Sequence, residues 1–148
     1  LVGSEMCIRD SHGGRQLDFA RSGVEVLEEV MRELRKRGSF PNPAFQVMVD
    51  GGFRRGTDIL KALAMGATAV GIGRPFLYAY SAYGVDGVIH AINLLRDELE
   101  MNMRLIGARS IEELVPSMVD LSALHNHTGA VFPKQDQSVL DFMDKSRL

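Results

Sequence analysis

The chain has 148 residues, of which 17 are Lys or Arg and 19 are Asp or Glu, for a net charge of −2. Charges of both signs are mixed along its whole length, so nothing indicates a surface for nucleic acid or another polyanion. A single cysteine, Cys7, excludes an internal disulfide, and no apolar run approaches the roughly 20 residues of a membrane span.

The first ordered pattern lies in "SGVEVLEEVMRELRKR", residues 22–37, where Val24, Leu27, Val30, Met31 and Leu34 recur at helical steps. Glutamates come early and Lys/Arg late, as the helix dipole favours, and Gly38 ends the helix. After the loop "SFPNP", the apolar run "FQVMVD" predicts a short buried strand entering "GGFRRG". "TDILKALAMG" predicts a helix with Thr57 as N-cap, Ile59, Leu60 and Leu63 facing inward, and Gly66 as C-cap. "TAVGIG" predicts a second buried strand. "RPFLYAYSAYG" reads as a short helix, and a long helix is expected from about Val85 to Ile106. Its inner stripe is Val88, Ile92, Leu95 and Leu99, with "RDELE" facing water. Residues 110–114 suggest one more helical turn, and from about Leu121 the pattern fades.

Strands joined by helices run parallel and are buried on both faces. Two such strands with their helices leave apolar faces uncovered, so the expected class is an α/β fold completed by more chain. The alternative is a small independent α/β domain.

The loops after the two strands carry the chemistry. "DGGFRRG" and "GIGRP" each follow a strand directly, where parallel α/β folds place their ligands. Gly51 and Gly52 expose backbone N–H groups where no Cβ intrudes, the arrangement that cradles phosphate oxygens. Arg54 and Arg74 add permanent charge on forked donors, and Gly73 allows close approach beside Arg74. In (β/α)8 barrels the loops after strands seven and eight frequently hold a phosphate. Asp50 reads either as a turn residue or as a ligand for a ribityl or ribose hydroxyl. Arg55 reads as a solvated or ion-paired surface charge, and Lys61 and His90 as exposed helical residues.

Near the start, "HGGRQLD" sets His12 three residues before Arg15 across two glycines. A base and a fixed cation on one turn can deprotonate and anchor a small anionic substrate. The plainer reading of His12 is a loop histidine bonded to backbone. His125 and His127 lie in the polar tail, and no metal site is expected.

"HGGRQLD", "VDGGFRRGTDILKALAMGA", "VGIGRPFLYA" and "AINLLRDELEMNMRLIGARSIEEL" together resemble the FMN-dependent α-hydroxy-acid dehydrogenase/oxidase family, in its order, over residues 12–124. "LRDELEMNMRLIG" and "LVPSMVDLS" look most similar to its cytochrome-linked L-lactate dehydrogenase branch. The resemblance implies the C-terminal part of a TIM (β/α)8 barrel, strands 7 and 8 with their helices, incomplete as given. It implies FMN as cofactor and oxidation of an L-2-hydroxy acid, with L-lactate favoured, to the 2-oxo acid. His12 would be the catalytic base and Arg15 the partner of the substrate carboxylate. Asp50, Gly51, Gly52, Phe53 and Arg54 would form the FMN-binding loop, with Gly73 and Arg74 contacting phosphate. The implied partners are the hydroxy acid, a cytochrome or oxygen as electron acceptor, and further copies of the chain in a homotetramer.

Three other readings compete. One is a glycolate or 2-hydroxy-acid oxidase using oxygen. Another is a different FMN barrel, such as an isopentenyl-diphosphate isomerase-like enzyme, which leaves "HGGRQLD" unexplained. The third is a non-catalytic phosphate- or nucleotide-binding module, which needs Arg54 and Arg74 but not His12. The sequence also departs from the family: Ser11 stands where an asparagine is usual. "LVGSEMCIRD" lacks both the apolar core of a secretory signal and the pattern of a transit peptide. It is expected to match no barrel strand, so residues 1–11 read as a non-native or junction segment. Residues 12–124 then read as barrel and residues 125–148 as a C-terminal tail. The family's upstream lysine, tyrosines and histidine-orienting aspartate are missing, so the chain alone is not expected to turn over. No compartment can be assigned.

Overall fold

The computed structural model describes residues 20–42 and 44–124, together with the backbone of residues 6–10. Its elements are β1 (Met6–Asp10), α1 (Gly23–Lys36), β2 (Phe45–Asp50), α2 (Gly56–Met65), β3 (Ala69–Gly71) and α3 (Arg74–Leu105). Two 3-10 turns follow at Ile111–Glu113 and Pro116–Met118, where one helical turn was expected.

The sheet has three strands in the order β1-β2-β3, all parallel. β1 corrects the expectation that the opening segment matches no strand. It pairs with β2 over the whole of its length, from Met6 opposite Phe45 to Asp10 opposite Val49. Its five residues are too few for periodicity to reveal, and the partner strand supplies the backbone bonds that hold it extended. β2 spans the run "FQVMVD" as expected, with Val47 and Val49 buried.

α1 begins with a reciprocal cap. The Ser22 hydroxyl accepts from the Glu25 amide at 3.3 Å, and the Glu25 carboxylate accepts from the Ser22 amide at 3.0 Å. Leu27 and Met31 from its apolar stripe enter the main core with Val47, Val49, Phe53, Ala62, Met65 and Ala67. A second cluster joins α2 to α3 through Leu60, Ala64, Met103, Ala108 and Leu114. Leu121 and Leu124, where the sequence pattern fades, pack against the main core.

Two helix expectations need correction. α2 is capped at Arg55, two residues before the expected Thr57. The capping acceptor is the Asp58 carboxylate, which takes the amides of both Arg54 and Arg55 at 3.0 Å each, work a single hydroxyl cannot do as well. In α3 the short and long helices run together across Gly84, whose φ of 61° and ψ of −144° break the helical path. Of the expected inner stripe, Leu99 packs on the second cluster, but Ile92 is 48% exposed. Among the described residues nothing covers that side.

Candidate functional site

The pairing of β2 with β3 sets Asp50 opposite Gly71, so both strands end at the same edge of the sheet. The loops leaving them enclose a cavity of about 530 Å³. Its lining holds Asp50, Gly51, Gly52, Phe53 and Arg54 from the first loop, and Gly73 and Arg74 from the second. Thus seven residues singled out from sequence come together in one place. Gly71, Ile72, Pro75 and Leu77, which sequence reasoning did not single out, complete the wall. Their signal was adjacency, since each lies within three residues of Gly73 or Arg74. His12 and Arg15 lie outside the described residues. β1, which precedes them in sequence, runs parallel to β2 and ends at Asp10, beside Val49 at the same edge of the sheet.

The floor of the cavity depends on glycine. Gly51 and Gly52 have φ of 93° and 89°, two successive residues in a region that side chains disfavour. A Cβ on Gly71 would lie 2.7 Å from the Asp50 Cβ, so only glycine lets the two strand ends pair here. Phe53 is 2% exposed and belongs to the main core, so it ties the cavity loop to the interior.

The charges divide into two sets. Arg54 and Arg74 line the cavity and have no carboxylate partner among the described residues. Arg55 is ion-paired: its Nε donates to Glu98 Oε1 at 2.8 Å, and its terminal nitrogen donates to the same oxygen. Glu98 Oε2 also accepts from the Gly56 amide at 2.7 Å. The Arg55 hydrogen bond first, and the Gly56 amide second, hold the Glu98 carboxyl below its ordinary value of 4.5. This corrects the expectation that "RDELE" simply faces water. The bonds span 42 and 43 residues, and no local spacing announces them.

The α2 N-terminus is therefore already filled by Asp58 and Glu98. α3 differs: its cap is Gly73, which provides no side-chain acceptor, and Pro lies in its first turn. An anion at the cavity meets the α3 dipole, the glycine amides and two guanidiniums. The cradle fits a phosphate monoester, whose charge near −2 at neutral pH faces two guanidiniums and the glycine amides, with Asp50 as the carboxylate in the lining. The apolar wall of Ile72, Pro75 and Leu77 suits a larger body attached to it. Among the described residues no cluster of His, Cys, Asp or Glu could hold a metal, and no helix is long and apolar enough to cross a membrane.

Fold and site define a parallel α/β segment with a cavity at the carboxyl ends of its strands whose donors suit an anion. The family model for FMN-dependent dehydrogenases matches residues 7–121, and the chain belongs to that family. It is 56% identical over 124 residues to L-lactate dehydrogenase (cytochrome) of Wickerhamomyces anomalus, covering 84% of this chain and 21% of the relative. It is 46% identical over 112 residues to glycolate oxidase 2 of Oryza sativa subsp. indica, covering 76% of this chain and 28% of that protein. Among solved structures, a double mutant of flavocytochrome b2 with pyruvate bound superposes with a TM-score of 0.76 at 50% identity. That match covers 93% of this chain and 34% of the other. The chain thus spans between a fifth and a third of the length of these proteins.

Proposed function

We propose that this segment forms the FMN phosphate site and part of the substrate site of an enzyme that oxidises an L-2-hydroxy acid, with L-lactate the favoured substrate, to the 2-oxo acid. The observation that carries the reading is the cavity in which Arg54 and Arg74, without a carboxylate partner among the described residues, stand beside the backbone of Gly51, Gly52 and Gly73. Identity of 56% to a cytochrome-linked L-lactate dehydrogenase favours that activity over the glycolate oxidase type at 46%. The pyruvate in the related structure is the 2-oxo acid of lactate.

In this reading Arg54, Arg74 and the glycine amides fix the phosphate, and Asp50 holds a hydroxyl of the attached chain. The guanidinium of Arg15 grips the substrate carboxylate in one orientation, which sets the α-carbon against the flavin. The imidazole of His12 takes the substrate proton. FMN, when bound, supplies the two-electron acceptor. A cytochrome would be the onward electron acceptor. The second reading, transfer to oxygen, rests on the glycolate oxidase similarity. The intact protein would assemble as a homotetramer.

Anaerobic addition of L-lactate to the full-length protein tests this reading. The flavin absorbance is expected to bleach, and His12→Gln to abolish bleaching while the flavin stays bound. A bound flavin that L-lactate and glycolate both leave oxidised would contradict the reading and favour the binding-module alternative.

A further inference from the structure

Three consecutive amides at the end of the glycine loop are held by carboxylates outside the cavity lining. Those of Arg54 and Arg55 go to Asp58 Oδ2 at 3.0 Å each, and that of Gly56 goes to Glu98 Oε2 at 2.7 Å. Neither carboxylate lines the cavity. Glu98 also binds the Arg55 guanidinium through its other oxygen. At this point α2 sits directly on α3, because a Cβ on Gly56 would lie 2.9 Å from the Glu98 carbonyl carbon. The start of α2, and with it the backbone from which Arg54 projects, is thereby fastened to the part of α3 that follows the break at Gly84.

We infer that Glu98 is a positioning residue for phosphate recognition, acting through Arg55 and the Gly56 amide to fix the loop backbone that carries Arg54. The inference rests on the FMN reading and extends it to a residue that touches neither cofactor nor substrate.

Riboflavin is FMN without its phosphate, so it separates a loss of phosphate recognition from a general loss of structure. The experiment titrates the full-length apoprotein with FMN and with riboflavin, following the quenching of flavin fluorescence. Glu98→Gln puts an amide where a carboxylate oxygen accepted, and is expected to weaken FMN about fivefold to tenfold, the range of one displaced charge-assisted hydrogen bond. Riboflavin affinity should stay within about twofold of wild type on that account. Equal weakening of both ligands, or FMN binding unchanged, would overturn the inference. If Glu98→Gln is not recovered folded, Arg55→Gln serves instead: it removes the guanidinium that holds Glu98 Oε1, and a loss confined to FMN is again expected. Wild-type protein that binds riboflavin as tightly as FMN would instead contradict the phosphate reading itself, and the inference with it.

Discussion

Gly71 faces Asp50 so closely that an added Cβ would lie 2.7 Å from the aspartate's own Cβ, with the strand backbone behind it. Gly71→Ala should therefore push the ends of β2 and β3 apart. The expected loss is about 1–3 kcal/mol in denaturant unfolding, typical of overpacking a tight site. Gly52 is a different case. A Cβ there meets nothing within 4 Å, yet φ is 89°. Gly52→Ala is expected to cost about 1–2 kcal/mol from backbone strain alone. A crystal structure of the alanine variant should show either the loop peptide rotated or the strained φ retained. The sequence exposed these glycines because they stand between a strand and an arginine. It also set Arg55 apart from Arg54 as a solvated or ion-paired charge, but local pattern could not name the partner, Glu98, 43 residues further on.

At the scale of elements, the α2–α3 clasp should depend on pH. The Glu98 carboxyl is depressed in the folded protein, chiefly by the Arg55 hydrogen bond, so its ionised form is favoured by folding. Its contribution is fully present above the unfolded value of 4.5 and is lost as pH falls through the lower folded value. The difference in melting temperature between wild type and Glu98→Gln should hold steady above pH 4.5 and close below it; a gap that widened in acid would contradict this sign. Packing predicts a larger effect from α1. Met31 is buried between α1 and the sheet, and Met31→Ala should cost about 2–5 kcal/mol by denaturant unfolding. β2 was legible to the residue because a six-residue apolar run between polar loops has one reading. β1 was not, because "MCIRD" gains its extended form from pairing with a strand that lies beyond α1. The cap of α2 was misplaced for a different reason: Thr57 fits the local pattern, but the Asp58 carboxylate takes the amides of Arg54 and Arg55 and caps the helix at Arg55.

The whole molecule shows an unequal distribution of cover. α1, β2 and α2 enclose a core, while α3 leaves Leu77 and Tyr83 at 64% and 79% exposure and Ile89 and Ile92 in the open as well. Such a face on a chain spanning a third of a related barrel is expected to bind other apolar surface. The 148-residue chain alone should self-associate in size-exclusion chromatography, enhance the fluorescence of a hydrophobic dye, and leave L-lactate unoxidised. A monodisperse, dye-silent monomer would contradict that expectation. The most direct test of the central claim, that two arginines at one cavity grip the FMN phosphate, is a flavin titration of the full-length apoprotein carrying Arg54→Met and Arg74→Met together. The account predicts FMN affinity reduced by about a hundredfold or more, at roughly one charge-assisted contact each, with riboflavin affinity unchanged. FMN bound by the double variant as tightly as by wild type would contradict it.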